Sequence, residues 1–144
     1  MRITILGSSA FKEKKVALKK ELIEMGHDAV IHPHYEDFVQ GKRQEIWSLV
    51  ENGEHAKAKI ENDYIRWYYN AIVSSDAVLV VNLEKNGKEN YIGGNVLMEL
   101  GFAYVNNKKI FMYNPYPKKE ECGYLDEIEA VQPIIINGDL SKIK

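Results

Sequence analysis

The stretch "YIGGNVLMELGFAY", residues 91–104, holds one charged side chain, Glu99, among small and apolar neighbours. A carboxylate in such company needs a partner or a task. The chemistry open to it is that of a desolvated acid: nucleophile, general acid or general base. Gly93 and Gly94 lead into the same stretch. Two glycines ahead of a helix let a ligand approach closely and leave first-turn amides free for an anion or for sugar hydroxyls, although a plain turn explains such a pair equally well.

A second acid, Asp63, joins Glu99 only if the elements between them allow it. "AKAKIENDYIRWYYNAIVSS" (56–75) carries apolar side chains at Ala56, Ile60, Tyr64, Trp67, Tyr68 and Ala71, which predicts one helix. It feeds "DAVLVVN" (76–82), a near-continuous apolar run of the kind found in strands covered on both faces. Asp63 lies ten residues before Val73, so about 15 Å back along the helix axis. The strand from Ala77 to Val81 spans about 13 Å. Asp63 is therefore expected level with the carboxyl end of that strand, where the helix over 94–106 brings Glu99 down. The two carboxylates are expected to converge; the plainer alternatives are a solvated Asp63 near Arg66 and a core Glu99 paired with Arg66 or Lys109.

The other elements follow from the same patterns. "RITIL" (2–6) is a buried strand that ends in "GSS" (7–9). Residues 11–26 form an amphipathic helix closed by Gly26, with "KEKK" (12–15) as a solvated face. Residues 28–32 form a strand, 33–44 a polar excursion and 45–52 a short helix. Residues 108–114 form a strand, and 115–130 a proline-rich loop with room for a short helix. A last strand over 131–136 belongs at an edge, because Pro133 cannot donate to a ladder. Strands alternating with helices predict a parallel sheet with right-handed crossovers. The expected fold class is α/β: a doubly wound five-stranded sheet, flavodoxin- or Rossmann-like, in the order 2-1-3-4-5. Such sheets bind ligands beyond the carboxyl ends of strands 1 and 3, here Gly7, Ser8 and Ser9 and, facing them, Asn82. Gly93, Gly94 and Asn95 border the same crevice.

The composition sets bounds. The chain has 144 residues, enough for one domain over 1–144. Hydrophobic residues make up 45% and charged residues 28%, as in ordinary globular proteins, and a formal net charge of -2 argues against a general nucleic-acid partner. The lone Cys122, no long apolar run and no leader pattern predict a soluble, cytoplasmic protein without membrane attachment. His32 and His34 project to one face at strand spacing, yet no third ligand lies nearby, so they are expected to satisfy each other's surroundings and no metal is expected. Tyr64, Trp67, Tyr68 and Tyr69 are expected in the core. Neither G-x-G-x-x-G nor G-x-x-x-x-G-K-[ST] occurs, so no dinucleotide or P-loop cofactor is implied.

"DAVLVVN" followed by "YIGGNVLMELGFAYVNNKKIFMYNP" resembles the nucleoside 2-deoxyribosyltransferase family, whose glycine-led helix carries M-E-L-G-[FY]-A. "NDYIRWYYNAIVSSD" and the "GSS" loop also fit, so the resemblance runs from Ile3 to Pro115. It implies a cofactor-free enzyme acting on a small nucleoside or nucleotide as a homodimer or larger oligomer. Glu99 matches the family's nucleophile, Asp63 its helix aspartate near the base, and Gly7 and Ser8 its sugar-side loop. The transferases carry an aspartate where this chain has Gly93, and the 5'-monophosphate hydrolases carry a strand-1 tyrosine where it has Thr4. The implied activity is cleavage or transfer at the N-glycosidic bond of a 2'-deoxyribonucleoside or its 5'-monophosphate. Two alternatives stand beside it: a lysine-decarboxylase-like nucleotide phosphoribohydrolase, whose P-G-G-x-G-T-x-x-E motif is incomplete here, and a non-catalytic nucleotide-binding domain. The helix over 94–106 is apolar on nearly all sides, so one face is expected to pack on a second subunit.

Overall fold

Five strands pair in parallel: β1 (Arg2–Leu6), β2 (Asp28–Val30), β3 (Ala77–Val80), β4 (Lys109–Met112) and β5 (Ile134–Ile135), in the order β2-β1-β3-β4-β5. The computed structural model describes residues 1–144. The sheet is the expected one, and its register is tight: Val80 stands opposite both Leu6 and Met112. The carboxyl ends of the three central strands therefore lie level.

Alternation along the strands builds two cores. Ile3, Ile5, Ala77, Leu79, Val81 and Phe111 face one side, where Leu18 and Leu22 of α1 (Lys12–Glu24) cover them. Leu6, Val78, Val80, Ile110 and Met112 face the other. There they meet α5 (Tyr64–Val73), α6 (Gly94–Val105) and α7 (Leu125–Ala130), through Ile72, Leu100 and Ile128 among others. Both faces are covered, which is why β3 is buried at every residue. No helix is long and apolar enough to cross a membrane.

Two local expectations are corrected. The excursion at 33–44 contains a helix, α2 (His34–Val39), ahead of α3 (Gln44–Glu51). Pro33 pre-sets its first turn and Glu36 and Asp37 sit at the positive end of its dipole. The single helix expected over 56–75 is two, α4 (His55–Glu61) and α5. The Asn62 side chain caps the Ala58 carbonyl at 2.9 Å, and Asp63 takes a left-handed conformation with φ 50. Asn and Asp tolerate that conformation better than other side-chain-bearing residues, so the chain turns there.

Asn82, expected on the ligand side, belongs to the frame instead. Its side chain is fully buried. Its Nδ2 donates to the carbonyls of Asn114 (3.0 Å) and Pro115 (2.9 Å), and its Oδ1 accepts from the Asn114 amide (2.8 Å). It ties the end of β3 to the end of β4. Asn82→Ala leaves those backbone groups unpaired and is expected to cost about 3 kcal/mol in urea denaturation; a change below about 1 kcal/mol would remove Asn82 from the frame.

Candidate active site

The site begins where β1 stops. Gly7 has φ +155, and a Cβ there would lie 2.9 Å from the Val81 carbonyl oxygen and 3.4 Å from Cδ of Lys15. Its missing side chain lets Lys15, the fourth residue of α1, pass underneath. Lys15 is 1% exposed. Its Nζ donates to the Gly7 carbonyl at 2.8 Å and stands 3.6 Å from the ring centroid of Tyr35 on α2. Ser8 Oγ accepts from the Ala10 amide (3.2 Å) and from Lys85 Nζ (3.1 Å).

From the opposite side comes the start of α6. Gly93 is extended and no side chain caps the helix, so its first amides are free. A Cβ on Gly94 would meet nothing within 4 Å. Asn95 Nδ2 donates to Glu99 Oε1 at 3.3 Å, one turn further along. Glu99 is 3% exposed. Its second oxygen has no protein partner, yet Glu121 Oε1 is the only sealed side-chain atom left unbonded, so that Glu99 oxygen keeps contact with accessible space.

A cavity of about 260 Å³ lies between these two edges, near the lower end of the usual range for ligand clefts. Gly7, Ser8, Ser9, Gly93, Gly94 and Asn95, the residues expected around the crevice, all line it. Glu99 lies immediately behind, beneath Asn95. Phe38 and three tyrosines, Tyr35, Tyr64 and Tyr68, form the aromatic wall. Tyr68 serves the cavity as well as the core, Tyr64 is half-buried on the cavity wall and outside the core, and Tyr69 points outward at 41% exposure. His34 Nδ1 is 2.8 Å from the Tyr64 hydroxyl, and His32 Nδ1 accepts from the His34 amide at 3.1 Å. The two histidines are held by these contacts, and no group of three metal-ligating side chains is present.

Asp63 does not join Glu99. Its carboxylate is 62% exposed and pairs with Arg66 at 3.0 Å. It borders an outer groove with Ile65, Tyr69 and Phe102. The turn at Asn62–Asp63 is the reason: the expected convergence assumed one straight helix. Lys15 is the opposite case, an expected solvated residue that proves to be buried. The signal was present, because Lys15, Leu18 and Leu22 lie at helical spacing on one stripe. His55, Lys59 and Lys85 on the cavity wall also carry no sequence motif.

Burial pushes the Glu99 carboxyl well above the usual carboxylate range, against the attraction of Lys15 and Lys59 and the Asn95 hydrogen bond. Burial likewise pushes the Lys15 amine down, against the pull of Glu99. Desolvation thus outweighs attraction for both groups. Because Glu99 holds its proton more tightly folded than unfolded, stability falls as pH rises from the ordinary glutamate value through the raised one. Glu99→Gln mimics the protonated acid and escapes that loss. It is expected to melt with wild-type protein at pH 4 and above it at pH 9 in scanning calorimetry, the gap already open at pH 6. A lower Tm at both pH values would make Glu99 a structural ion-pair partner.

Set against known protein families, curated proteins and solved structures, the chain matches none.

Proposed function

We propose that the chain cleaves, or transfers at, the N-glycosidic bond of a 2'-deoxyribonucleoside or its 5'-monophosphate, with Glu99 as nucleophile. The observation that carries this reading is a single desolvated carboxylate behind a cavity at the carboxyl edge of β1 and β3, with no other acid on the wall. The resemblance of "MELGFA" to the deoxyribosyltransferase helix supports it. Breaking the bond builds positive charge at C1', which an apposed carboxylate stabilises. The Glu99 oxygen bonds to C1' as the C1'–N bond breaks, and the electron pair of that bond leaves on the base nitrogen, which takes up a proton from solvent; the water or second base that later attacks C1' gives one back. Water, or the nitrogen of a second base, then displaces Glu99 from C1' and restores the carboxylate. Glu99 must be ionised to attack, and the charges of Lys15 and Lys59 favour that form. With Asp63 turned away, a polar group on the aromatic wall is the Tyr64 hydroxyl, backed by His34. Burial raises Tyr64 to about 12, so it stays a hydrogen-bond donor for the base.

A second reading, a nucleotide-binding domain without turnover, is favoured by one observation: Glu99 sits behind the wall rather than on it. Nucleosides and 5'-monophosphates, ribo and deoxy, assayed for free base with and without an acceptor base, separate the two. Base release from deoxy substrates is expected, undiminished by chelator, and Glu99→Gln should lower it by about 10³-fold or more. Glu99→Gln at wild-type rates would end the nucleophile assignment, and binding without any product would favour the second reading.

The proposal includes a homodimer or larger assembly. Met98, Tyr104 and Val105 of α6 are exposed, Val105 at 72%, beside Ile65, Tyr69 and Val73 of α5. These exposed apolar side chains fit a second copy better than water. Light scattering is expected to give at least twice the 16.6 kDa chain mass, and Met98→Glu with Val105→Glu should return the monomer. Wild-type protein at 16.6 kDa throughout the micromolar range would refute the assembly.

A further inference from the structure

The cavity wall is unbalanced in charge. His55 and Lys59 of α4 and Lys85 of the loop after β3 all line it, and no Asp or Glu does. Neither lysine takes part in an ion pair. Glu99, behind the wall, offsets them only in part. The three groups sense one another. Burial, then Lys59 and Lys85, hold the His55 imidazole below its ordinary value. Burial holds the Lys59 amine down too, with Glu99 pulling it up and Lys85 adding to the depression.

Lys85 is placed by a built turn. Asn86 and Gly87 have φ 52 and 82, and Lys85 and Lys88 exchange backbone hydrogen bonds of 2.9 and 3.0 Å. This is the Asn-Gly hairpin geometry. It sets Lys85 Nζ against Ser8 Oγ and 4.9 Å from the centroid of the Tyr91 ring. Lys59 is fixed by α4, whose direction follows from the break at Asn62–Asp63. Gathering like charges on a half-buried wall costs free energy unless something anionic completes it.

We propose that Lys59, Lys85 and His55 form a phosphate site, and that the substrate is a 2'-deoxynucleoside 5'-monophosphate rather than the free nucleoside. The choice of substrate rests on the glycosidic reading; the phosphate site rests on the wall itself. Charge count selects the monophosphate. Such an ester carries about -1.5 to -2 at neutral pH, which two ammonium groups match. A diphosphate or triphosphate exceeds them, and a neutral nucleoside leaves them unmatched. Ser9 and the free amides at the start of α6 then serve the sugar.

The test uses calorimetric titration of the Glu99→Gln protein, which binds without turning over, with the four deoxynucleosides and their four 5'-monophosphates. The best monophosphate should bind about 100-fold more tightly than its nucleoside, the worth of two charge-assisted contacts. Adding Lys59→Gln and Lys85→Gln should erase most of that ratio. On the wild-type background the same ratio should appear in kcat/KM and shrink with added salt. Equal affinity for nucleoside and monophosphate overturns the phosphate site, whether or not base is released, and needs no lysine variant to be read. Phosphate-selective binding with no base released from any substrate upholds the site and overturns the glycosidic reading instead.

Discussion

Two buried ionisable groups, a lysine and a glutamate, lie near enough over the edge of the sheet to shift each other's protonation, and the site is arranged around them. Lys15 arrives from α1 on one face and Glu99 from α6 on the other. They can face each other only where β1 and β3 part company, because there the chain leaves one strand for one side and the next strand for the opposite side. Each is pushed toward its neutral form by burial and drawn back by the other. Gly7 exists in that geometry because any side chain would strike the Val81 carbonyl and the Lys15 stem. Tyr35 lends its ring to the ammonium, and α2 is held in place to supply it. The pair is poor as a source of stability and useful as a source of field: a positive neighbour keeps an otherwise reluctant acid within reach of ionisation.

The fold was legible because its signal is collective. Short apolar runs such as "RITIL" and "DAVLVVN", together with helices between the strands, constrain the sheet order through handedness and connection rules that tolerate errors of a few residues. The loops Gly7–Ser9 and Gly93–Asn95 followed, since the order reversal fixes where they must lie. Single side chains were harder. Asp63 failed on one backbone angle: a left-handed residue inside a stretch with good helical spacing redirects everything before it. Asn82 lies two residues beyond the end of β3 rather than at it, and its amide is consumed by Asn114 and Pro115, partners 32 and 33 residues away that no local pattern reveals. Lys15 was hidden by its neighbours, since a run of lysines reads as solvated unless each is placed on the helix stripe.

The wall opposite the glycines has a different character. Phe38, Tyr35, Tyr64 and Tyr68 offer aromatic surface, which suits a heterocycle that needs stacking. One short helix and a turn carry the cationic side chains of the wall, while the buried acid sits on a long helix. Rigid elements thus hold the group that must be exact in position, and adaptable ones hold groups that act through charge at a distance.

The sheet's two margins have a consequence for how copies of the chain can associate. β2 has three residues and β5 two, the latter directly after Pro133. A strand that short presents few open donors and acceptors, and the proline removes one more. Neither margin can template a sixth strand from a neighbour. Growth by sheet extension, the route to open-ended fibres, is closed at both ends, which leaves contacts between helices as the way for these molecules to meet.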